Sequence, residues 1–329
     1  MTSGDVYAAA RAGMLSPAVA GDVQRVYVPN SEDNTVDVID PATYRVVGHF
    51  AVDQLPQHVT PSWDLKTLYV DNDLGNTLTP IDARTGKPGK PIGVLDPYNL
   101  YFTADGTKAI VVAERFNQLD FRDPHTFALI KTVPAPCRGV DHMDYTADAR
   151  FALVSCEFSG QMLKLDLQRM SVESVFALGG SPQDVKLSPD GRTFYVADQK
   201  AGGVFLVDAA TFKRAGFLRT GRGAHGLYVS RDSTVLYVSD RGAGQVTVVD
   251  LATKRIARQW HIGGSPDMGG VSADGTQLWL SGRHNSVVYV IDTRTGRLLH
   301  AIPVGKGPHG LCVFPQPGRY SIGHTGILR

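Results

Sequence analysis

The hydrophobic residues of the chain occur in short runs rich in Val, Ile, Leu, Tyr and Phe. One representative stretch has such runs at residues 184–188, 193–197, 203–207 and 214–218, with Gly, Pro, Asp and Thr between them. Short apolar runs separated by turn-forming residues are typical of strands in antiparallel sheets. The pattern therefore predicts an all-β protein whose local unit is four consecutive strands, which we call strands A to D.

This unit repeats along the whole chain. An aspartate that closes the third strand recurs at spacings of 41 to 43 residues, at Asp40, Asp82, Asp123, Asp166, Asp208, Asp250 and Asp292. A second aspartate, in turns such as SPDG, recurs with the same period, at Asp64, Asp105, Asp148, Asp190, Asp232 and Asp274. Four strands in about 42 residues is typical of a propeller blade, so seven repeats predict a seven-bladed β-propeller. The aspartates themselves are expected to shape turns.

The order of strands along the chain also predicts how the ring closes. The first apolar run, residues 25–28, is a B strand, and the last, residues 310–314, is an A strand. One C-terminal and three N-terminal strands would then build the last blade, which removes two exposed sheet edges. We therefore expect an N-terminal extension at 1–20, a propeller at 21–315 and a C-terminal tail at 316–329.

Three repeated segments resemble those of the YVTN-type, or YncE-like, propeller family. They read RVYVPNSEDNTVDVIDPAT, TFYVADQKAGGVFLVDAAT and VLYVSDRGAGQVTVVDLAT, and the resemblance covers residues 21–315. It implies a propeller fold. The family includes binding proteins, lyases and domains of redox enzymes, so the function has to come from the site itself.

Composition excludes several other classes of protein. Lys and Arg total 33 against 32 for Asp and Glu, which gives no basic surface for nucleic acid. No apolar run approaches the roughly 18 residues of a transmembrane helix. The N-terminus has no signal-peptide pattern, so the chain as written is expected to be cytoplasmic, the alternative being an exported protein whose signal has been removed. No phosphate-binding glycine motif occurs, and we expect no nucleotide cofactor.

Histidines are concentrated where the A strands begin, near the predicted central channel. Alternate repeats place His58, His142, His225 and His309 there, which is four of the ten histidines. A ring of inner strands can direct one ligand per blade at the axis, so these imidazoles predict a copper, iron or zinc site. The competing interpretation is a polar, water-filled channel.

The register of these histidines weakens the four-ligand prediction. His58 and His142 lie one position later in their strands than His225 and His309, and successive side chains of a regular strand point to opposite faces. All four can face the axis only if the strands begin irregularly. A three-histidine site is the safer expectation.

Charged residues on the same face predict a substrate site. The D-to-A and B-to-C loops lie on one face of a propeller, which we call the mouth face, and the A-to-B and C-to-D turns on the other, the turn face. On the mouth face Glu114 and Glu157 are candidate acid–base catalysts. The candidate substrate-binding residues there and at the A-strand starts are Arg138, Arg241, Arg283, Asn99, Asp184 and Asp267. The alternative is a solvated rim of ion pairs.

The three cysteines leave more than one pairing open. Cys137 and Cys156 belong to one repeat and both fall on the mouth face. Three alternatives are open for them: they form a disulfide, they bind a metal together with His142, or they are two unrelated small residues. Cys312 lies inside the last A strand and is expected in the core.

The predicted function is a propeller whose axial, histidine-lined pocket binds a small molecule, as a metal-dependent oxidoreductase or lyase. The alternative is a non-catalytic module that binds a ligand or a protein. A lactone hydrolase is less favoured, because its divalent ion would prefer carboxylates to imidazoles. The C-terminal tail, which carries His324, either packs on the rim or crosses a channel mouth. Oligomeric state is not predicted.

Overall fold

The alternating apolar strands of each repeat form one four-stranded antiparallel sheet, and seven such sheets surround a central channel. The structure is a computed structural model that describes residues 4–329. The predicted seven-bladed propeller is confirmed. Residues 1–3 of the predicted N-terminal extension lie outside the described residues.

Each blade is given from its inner A strand outward. Blade 1 consists of β28 (Cys312–Phe314), β1 (Arg25–Asn30), β2 (Thr35–Asp40) and β3 (Arg45–Ala51), and blade 2 consists of β4 (Pro56–Pro61), β5 (Thr67–Asn72), β6 (Thr77–Asp82) and β7 (Ile92–Gly93). Blade 3 consists of β8 (Asn99–Phe102), β9 (Ala109–Ala113), β10 (Gln118–Arg122) and β11 (Leu129–Pro134), and blade 4 consists of β12 (Val140–Tyr145), β13 (Phe151–Cys156), β14 (Gln161–Asp166) and β15 (Ser171–Ala177). Blade 5 consists of β16 (Pro182–Leu187), β17 (Thr193–Asp198), β18 (Gly203–Asp208) and β19 (Arg214–Leu218); blade 6 of β20 (Ala224–Val229), β21 (Val235–Asp240), β22 (Gln245–Asp250) and β23 (Arg255–His261); blade 7 of β24 (Pro266–Val271), β25 (Gln277–Gly282), β26 (Val287–Asp292) and β27 (Leu298–Pro303).

Blade 1 closes the ring in the predicted way. The C-terminal strand β28 pairs antiparallel with β1, with Tyr27 opposite Cys312 and Arg25 opposite Phe314. Both ends of the propeller are thereby held in one sheet. Cys312 is fully buried, in line with the expected core position.

Apolar side chains between neighbouring blades form the core. Leu119 of β10 and Val154 of β13 belong to one buried cluster, and Tyr27 of β1 and Val70 of β5 belong to another. Burial of both faces of each sheet is the main favourable contribution to the fold.

The repeated aspartates at the ends of the C strands shape turns. In five blades the Asp Oδ1 accepts hydrogen bonds from the backbone N–H and the hydroxyl of a threonine three residues later, at 2.7 to 2.9 Å. These bonds lower the pKa of the carboxyl group, as at Asp208 and Asp292. The expected structural role is confirmed for these turns.

The inner strands begin with an extra residue. In blade 2 the pairing runs from Pro56 opposite Asn72 to Val59 opposite Val70, so three steps on β4 face two on β5. The same bulge occurs at the start of β12, β16, β20 and β24. A bulge re-aims side chains, which allows neighbouring positions to face the channel.

The N-terminal segment packs against the turn face, where Val6 N–H donates to Pro189 O at 2.9 Å. Two short 3₁₀-helices, Ala8–Ala10 and Pro17–Val19, precede β1, and a third, Arg241–Ala243, follows β21. After β28 the chain enters the channel. Within residues 4–329 no helix is long and apolar enough to cross a membrane.

Candidate functional site

The four predicted histidines lie around the propeller axis. The ring centres of His58 and His142 are 5.5 Å apart, those of His58 and His309 5.0 Å, and those of His225 and His309 5.7 Å. His142 and His225 complete the circuit at 6.3 Å. The bulged strand starts explain how side chains from different register positions meet here. All four rings are at most 3% exposed, so they lie beneath the mouth face and do not line an open pocket.

A fifth imidazole, not anticipated as a ligand, comes from the C-terminal tail. The ring of His324 is 4.4 Å from that of His142 and 5.1 Å from that of His58, between centres. One ligand atom from each of the three residues lies within 4.8 Å of the other two. We call His58, His142 and His324 the inner cluster. Its third member could not be placed from the repeats because the tail lies outside them.

Neighbouring groups orient the inner imidazoles. His58 Nδ1 is 2.9 Å from the Tyr98 carbonyl oxygen, and His324 Nδ1 is 3.3 Å from Asn99 Oδ1. Since a carbonyl oxygen only accepts, His58 Nδ1 carries the proton and its Nε2 is left with a free lone pair. His324 has an acceptor on both sides, because Asp184 Oδ1 lies 3.5 Å from its Nε2, so either nitrogen can carry its proton. The Nε2 atoms of His58, His142 and His324 are buried, and within residues 4–329 they have no hydrogen-bond partner.

Asp141 lies directly beside His142. Its Oδ1 is 2.6 Å from His142 Nδ1, but the contact lacks hydrogen-bond alignment, so both Asp141 oxygens are unpartnered. Burial lowers the pKa of His142, but the carboxylates of Asp141, Asp184 and Glu157 together outweigh it and raise that pKa overall. For His58, burial and the neighbouring imidazoles hold the pKa well below its usual value.

His225, Asp267 and His309 form a second group, which we call the outer cluster. Asp267 Oδ1 is 3.0 Å from His225 Nδ1, and its Oδ2 is 3.6 Å from His309 Nε2. The Arg241 guanidinium lies 3.3 Å from both oxygens of Asp267. Although burial opposes it, His225, Arg241 and His309 hold the pKa of Asp267 well below its usual range. The carboxylate is therefore ionised.

Acidic residues surround the mouth above the clusters. Burial, followed by the charges of Asp141 and Glu157, raises the pKa of Glu114 to about 9. Burial and Asp141 also raise the pKa of Glu157. Both side chains are half-buried in B-to-C loops. Such carboxyl groups can carry a proton at neutral pH and donate it.

The predicted substrate-binding residues fall into two groups. Arg241 and Arg283 are half-buried at the mouth, and the Arg283 charge lowers the pKa of His309. Arg138 is exposed, and its backbone N–H and carbonyl bond Ser159 and Phe158. No bound substrate tests these assignments, which stay predictions.

The other three predicted substrate residues contact histidines. Asn99 faces His324, and Asp267 holds the outer imidazoles, as described above. Asp184 accepts the backbone N–H groups of Val185 and Leu227 and lies 3.5 Å from His324 Nε2. In this position each one orients an imidazole.

Cys137 and Cys156 form a disulfide, with a Cα–Cα distance of 6.1 Å. Of the three alternatives left open by the sequence, the structure contains the first. The bond joins the loop before β12 to the end of β13. It therefore encloses the segment that carries Asp141 and His142 and ends next to Glu157.

Comparisons with known proteins identify the fold. The model of the YNCE-like β-propeller family matches residues 5–319. No curated protein sequence matches the chain. A solved structure of Kuenenia stuttgartiensis hydrazine synthase is similar, with 20% identity and a TM-score of 0.68, over 78% of this chain and 88% of that chain. The dihydro-heme d1 dehydrogenase NirN, in complex with DHE, has 15% identity and a TM-score of 0.68, over 92% and 77%. A functionally unknown protein from Desulfotomaculum acetoxidans DSM 771 has 14% identity and a TM-score of 0.75, over 88% and 98%. At these identities the likeness concerns the fold alone.

Proposed function

Since the chain belongs to the YNCE-like β-propeller family, whose members share a fold and differ in their sites, we propose from its own axial residues that it is a metal-dependent enzyme. In this proposal the inner cluster holds one copper, iron or zinc ion, and the mouth takes an anionic small molecule. The reaction class is that of an oxidoreductase or a lyase.

The observation that carries the proposal is the set of unpartnered nitrogens in the inner cluster. Leaving a buried polar atom without a partner costs about 1–3 kcal/mol. The three Nε2 atoms are such buried atoms, and each of the three imidazoles offers one nitrogen within 4.8 Å of the others, so a shared ligand would offset this cost. Metal–nitrogen bonds of about 2.1 Å place tetrahedral ligands about 3.4 Å apart, so the rings need to close by little more than about 1 Å. Three imidazoles suit copper, zinc or iron.

Local charge favours the inner cluster over the outer one as the metal site. The carboxyl groups of Asp141, Asp184 and Glu157 act on the inner imidazoles and are opposed by Lys186, so the balance of charge there is negative. This balance attracts a divalent cation.

The outer cluster has the opposite balance. Its charged groups are the Asp267 carboxylate and two guanidinium groups, that of Arg241 beside Asp267 and that of Arg283 beside His309. One net positive charge disfavours a metal ion and favours an anion. His225, held by Asp267, is placed to move a proton there.

The residues of the mouth then have separate tasks in the proposed reaction. Arg241 and Arg283 bind and orient the anionic group of the substrate. Glu114, kept protonated by burial and by the charges of Asp141 and Glu157, donates a proton, and Glu157, whose pKa is also raised, is the second candidate donor. When bound, the metal would supply Lewis-acid or redox chemistry.

Elemental analysis tests the metal site. The protein is purified without a His-tag or chelator, beside the double variant H58A/H142A and the matched control H125A/H261A, whose histidines are exposed. We expect about one equivalent of metal in the wild type and control and none in H58A/H142A. A wild type that stays metal-free after reconstitution with copper, iron and zinc would refute the proposal.

Anion binding tests the enzyme part of the proposal. Inorganic phosphate and acetate are titrated calorimetrically into the metal-loaded protein and into its R241Q/R283Q variant. We expect binding that the double variant loses. Metal binding without anion binding would argue against the enzyme and for a non-catalytic module.

One observation favours that second candidate. Leu74, Phe116 and Phe158 are 41%, 51% and 59% exposed in the B-to-C hairpins of three adjacent blades, all on the mouth face. Exposed apolar side chains grouped on one face are common at protein-binding surfaces. A module that binds a protein partner at this surface would not need catalytic activity.

The disulfide bears on the compartment. Structural disulfides persist in oxidising compartments and are rare in the cytosol. The Cys137–Cys156 bond therefore supports the exported alternative over the cytoplasmic one. Alkylation of the protein unfolded in denaturant, before and after reduction and read by mass spectrometry, would modify one thiol before reduction, that of the buried Cys312, and three after it if the bond forms in the cell.

A further inference from the structure

The last residues of the chain form a hairpin that lies inside the channel. Ser321 pairs with Leu328, and Ile322 N–H donates to Ile327 O at 2.8 Å. We call residues 320–329 the C-terminal hairpin. Since its ends lie near the turn face and its tip near the start of β8, the hairpin enters from the turn face and carries His324 at its tip.

The hairpin docks through its backbone against the inner strand of blade 3. His324 N–H donates to Leu100 O at 2.9 Å, and Phe102 N–H donates to Ile322 O at 3.0 Å. Leu100 and Phe102 belong to β8, so the hairpin adds to an inner edge that no other strand pairs with. Addition of an extended segment to an open strand edge is a common way in which a separate segment binds a sheet.

A buried ion pair fixes the end of the hairpin. Arg329 Nη2 lies 2.6 Å from Asp144 Oδ1, and the Arg329 guanidinium covers the ring of Tyr7 at 4.5 Å. The Tyr7 hydroxyl in turn donates to Leu187 O at 2.8 Å. The N-terminal segment thus closes the channel behind the hairpin.

The tip holds His324 in an unfavourable backbone conformation. His324 and Thr325 have φ angles of 36° and 51°, in the left-handed region, between Gly323 and Gly326. For a β-branched residue such as Thr325 this costs on the order of 1–3 kcal/mol. The docked tip therefore needs compensating contacts, and the His324 side chain makes polar contacts with Asn99 and Asp184.

We propose that the C-terminal hairpin is a dockable part of the metal site, so that metal binding and hairpin docking are coupled. This inference rests on the proposed function, because it assigns His324 as the third ligand. A ligand carried by a segment that can undock binds metal only in the docked state. By linkage, the metal must stabilise docking by the same factor by which docking strengthens metal binding.

The first measurement is Zn²⁺ affinity, by competition with a chromophoric chelator. The proteins are the wild type, H324A, R329A and the control H261A, whose histidine is exposed on β23. We expect H324A to bind Zn²⁺ at least about 100-fold more weakly, since losing even an outer partner of a ligand costs 10- to 100-fold. R329A keeps His324 but loses the anchor, and we expect it to bind more weakly than the control. H261A should match the wild type.

The second measurement is hydrogen exchange of the hairpin amides with and without Zn²⁺. We expect Zn²⁺ to slow exchange across residues 320–329 in the wild type and to leave it unchanged in H324A. Circular dichroism of each variant shows whether the propeller is folded. If H324A does not fold, the comparison of R329A with the wild type still tests the coupling.

The outcomes separate the two proposals. A wild type that binds Zn²⁺ with the same affinity as H324A and R329A, with no change in hairpin exchange, would overturn the coupling and leave the metal site in place. A wild type that binds no metal would overturn both proposals.

Discussion

The disulfide between Cys137 and Cys156 should make a large and measurable contribution to stability. It closes a loop with a sequence separation of 19 residues. In the chain-entropy model such a cross-link destabilises the unfolded state by about 3 kcal/mol. An entropy of unfolding of about 2.1 cal/mol/K per residue over 329 residues turns this into a fall of about 4 °C in Tm. We therefore expect the double variant C137A/C156A to lose about 3 kcal/mol and about 4 °C.

Guanidinium unfolding and calorimetry of the wild type, C137A/C156A and C312A would check this. Cys312 is a buried free thiol, so C312A removes one buried sulfur and leaves the disulfide intact. We expect this control to lose about 1 kcal/mol of stability. Reductant should not change the free energy of unfolding of the double variant. In the wild type, reduction should lower the free energy of unfolding towards that of the double variant. Equal stability of C137A/C156A and the wild type, or no effect of reductant on the wild type, would contradict the reasoning.

Three further predictions concern other parts of the molecule. The pKa of folded Glu114 is raised to about 9, so the metal-free wild type should lose stability as pH rises from about 5 to 9. Urea unfolding across that range should show a smaller loss of stability for E114Q, which has no carboxyl group to ionise. A Cβ at Gly310 would collide with the His58 ring, so G310A should lower Zn²⁺ affinity at least about tenfold and cost about 1–3 kcal/mol. Asp208→Ala removes two bonds to Thr211 and should cost about 1 kcal/mol at pH 7; because its folded pKa is lowered, the difference should shrink as pH falls below about 4.

The repeat was sufficient to predict the fold. Aspartates such as Asp82 and Asp250 recur at the C-to-D turns with a nearly constant spacing, and in five blades they make the same hydrogen bonds to a threonine three residues later. Because identical local units have to pack in the same way, a period read from the sequence determines the number of blades and the closing strand.

The candidate site was only partly predictable. The position of His58 and His225 at the axis follows from their places in the repeat. Their different registers looked incompatible, because a regular strand alternates its side chains. A bulge at the start of each strand lets both residues face the axis. This bulge depends on backbone pairing, and no consistent side-chain pattern in the sequence predicts it.

The course of the C-terminal hairpin was beyond sequence reasoning for a different reason. A single segment outside the repeats has no second copy against which its pattern can be compared. Its position depends on one edge of β8 and one buried partner, Asp144, which is a non-local pairing. The glycines Gly323 and Gly326 on either side of His324 indicated a tight turn and gave no information on where the turn lies.

Departures from the repeat are what give this propeller an axial site. At the position where other blades carry His58 or His142, blade 1 has Gly310, and a larger residue there would displace the His58 ring. The missing side chain therefore allows His58 to approach its neighbours closely. The hairpin tip adds His324 from the opposite face, so the inner cluster joins three segments remote in sequence. Such a cluster is present only when the ring is closed and the hairpin docked, which makes ligand binding here a direct readout of the complete fold.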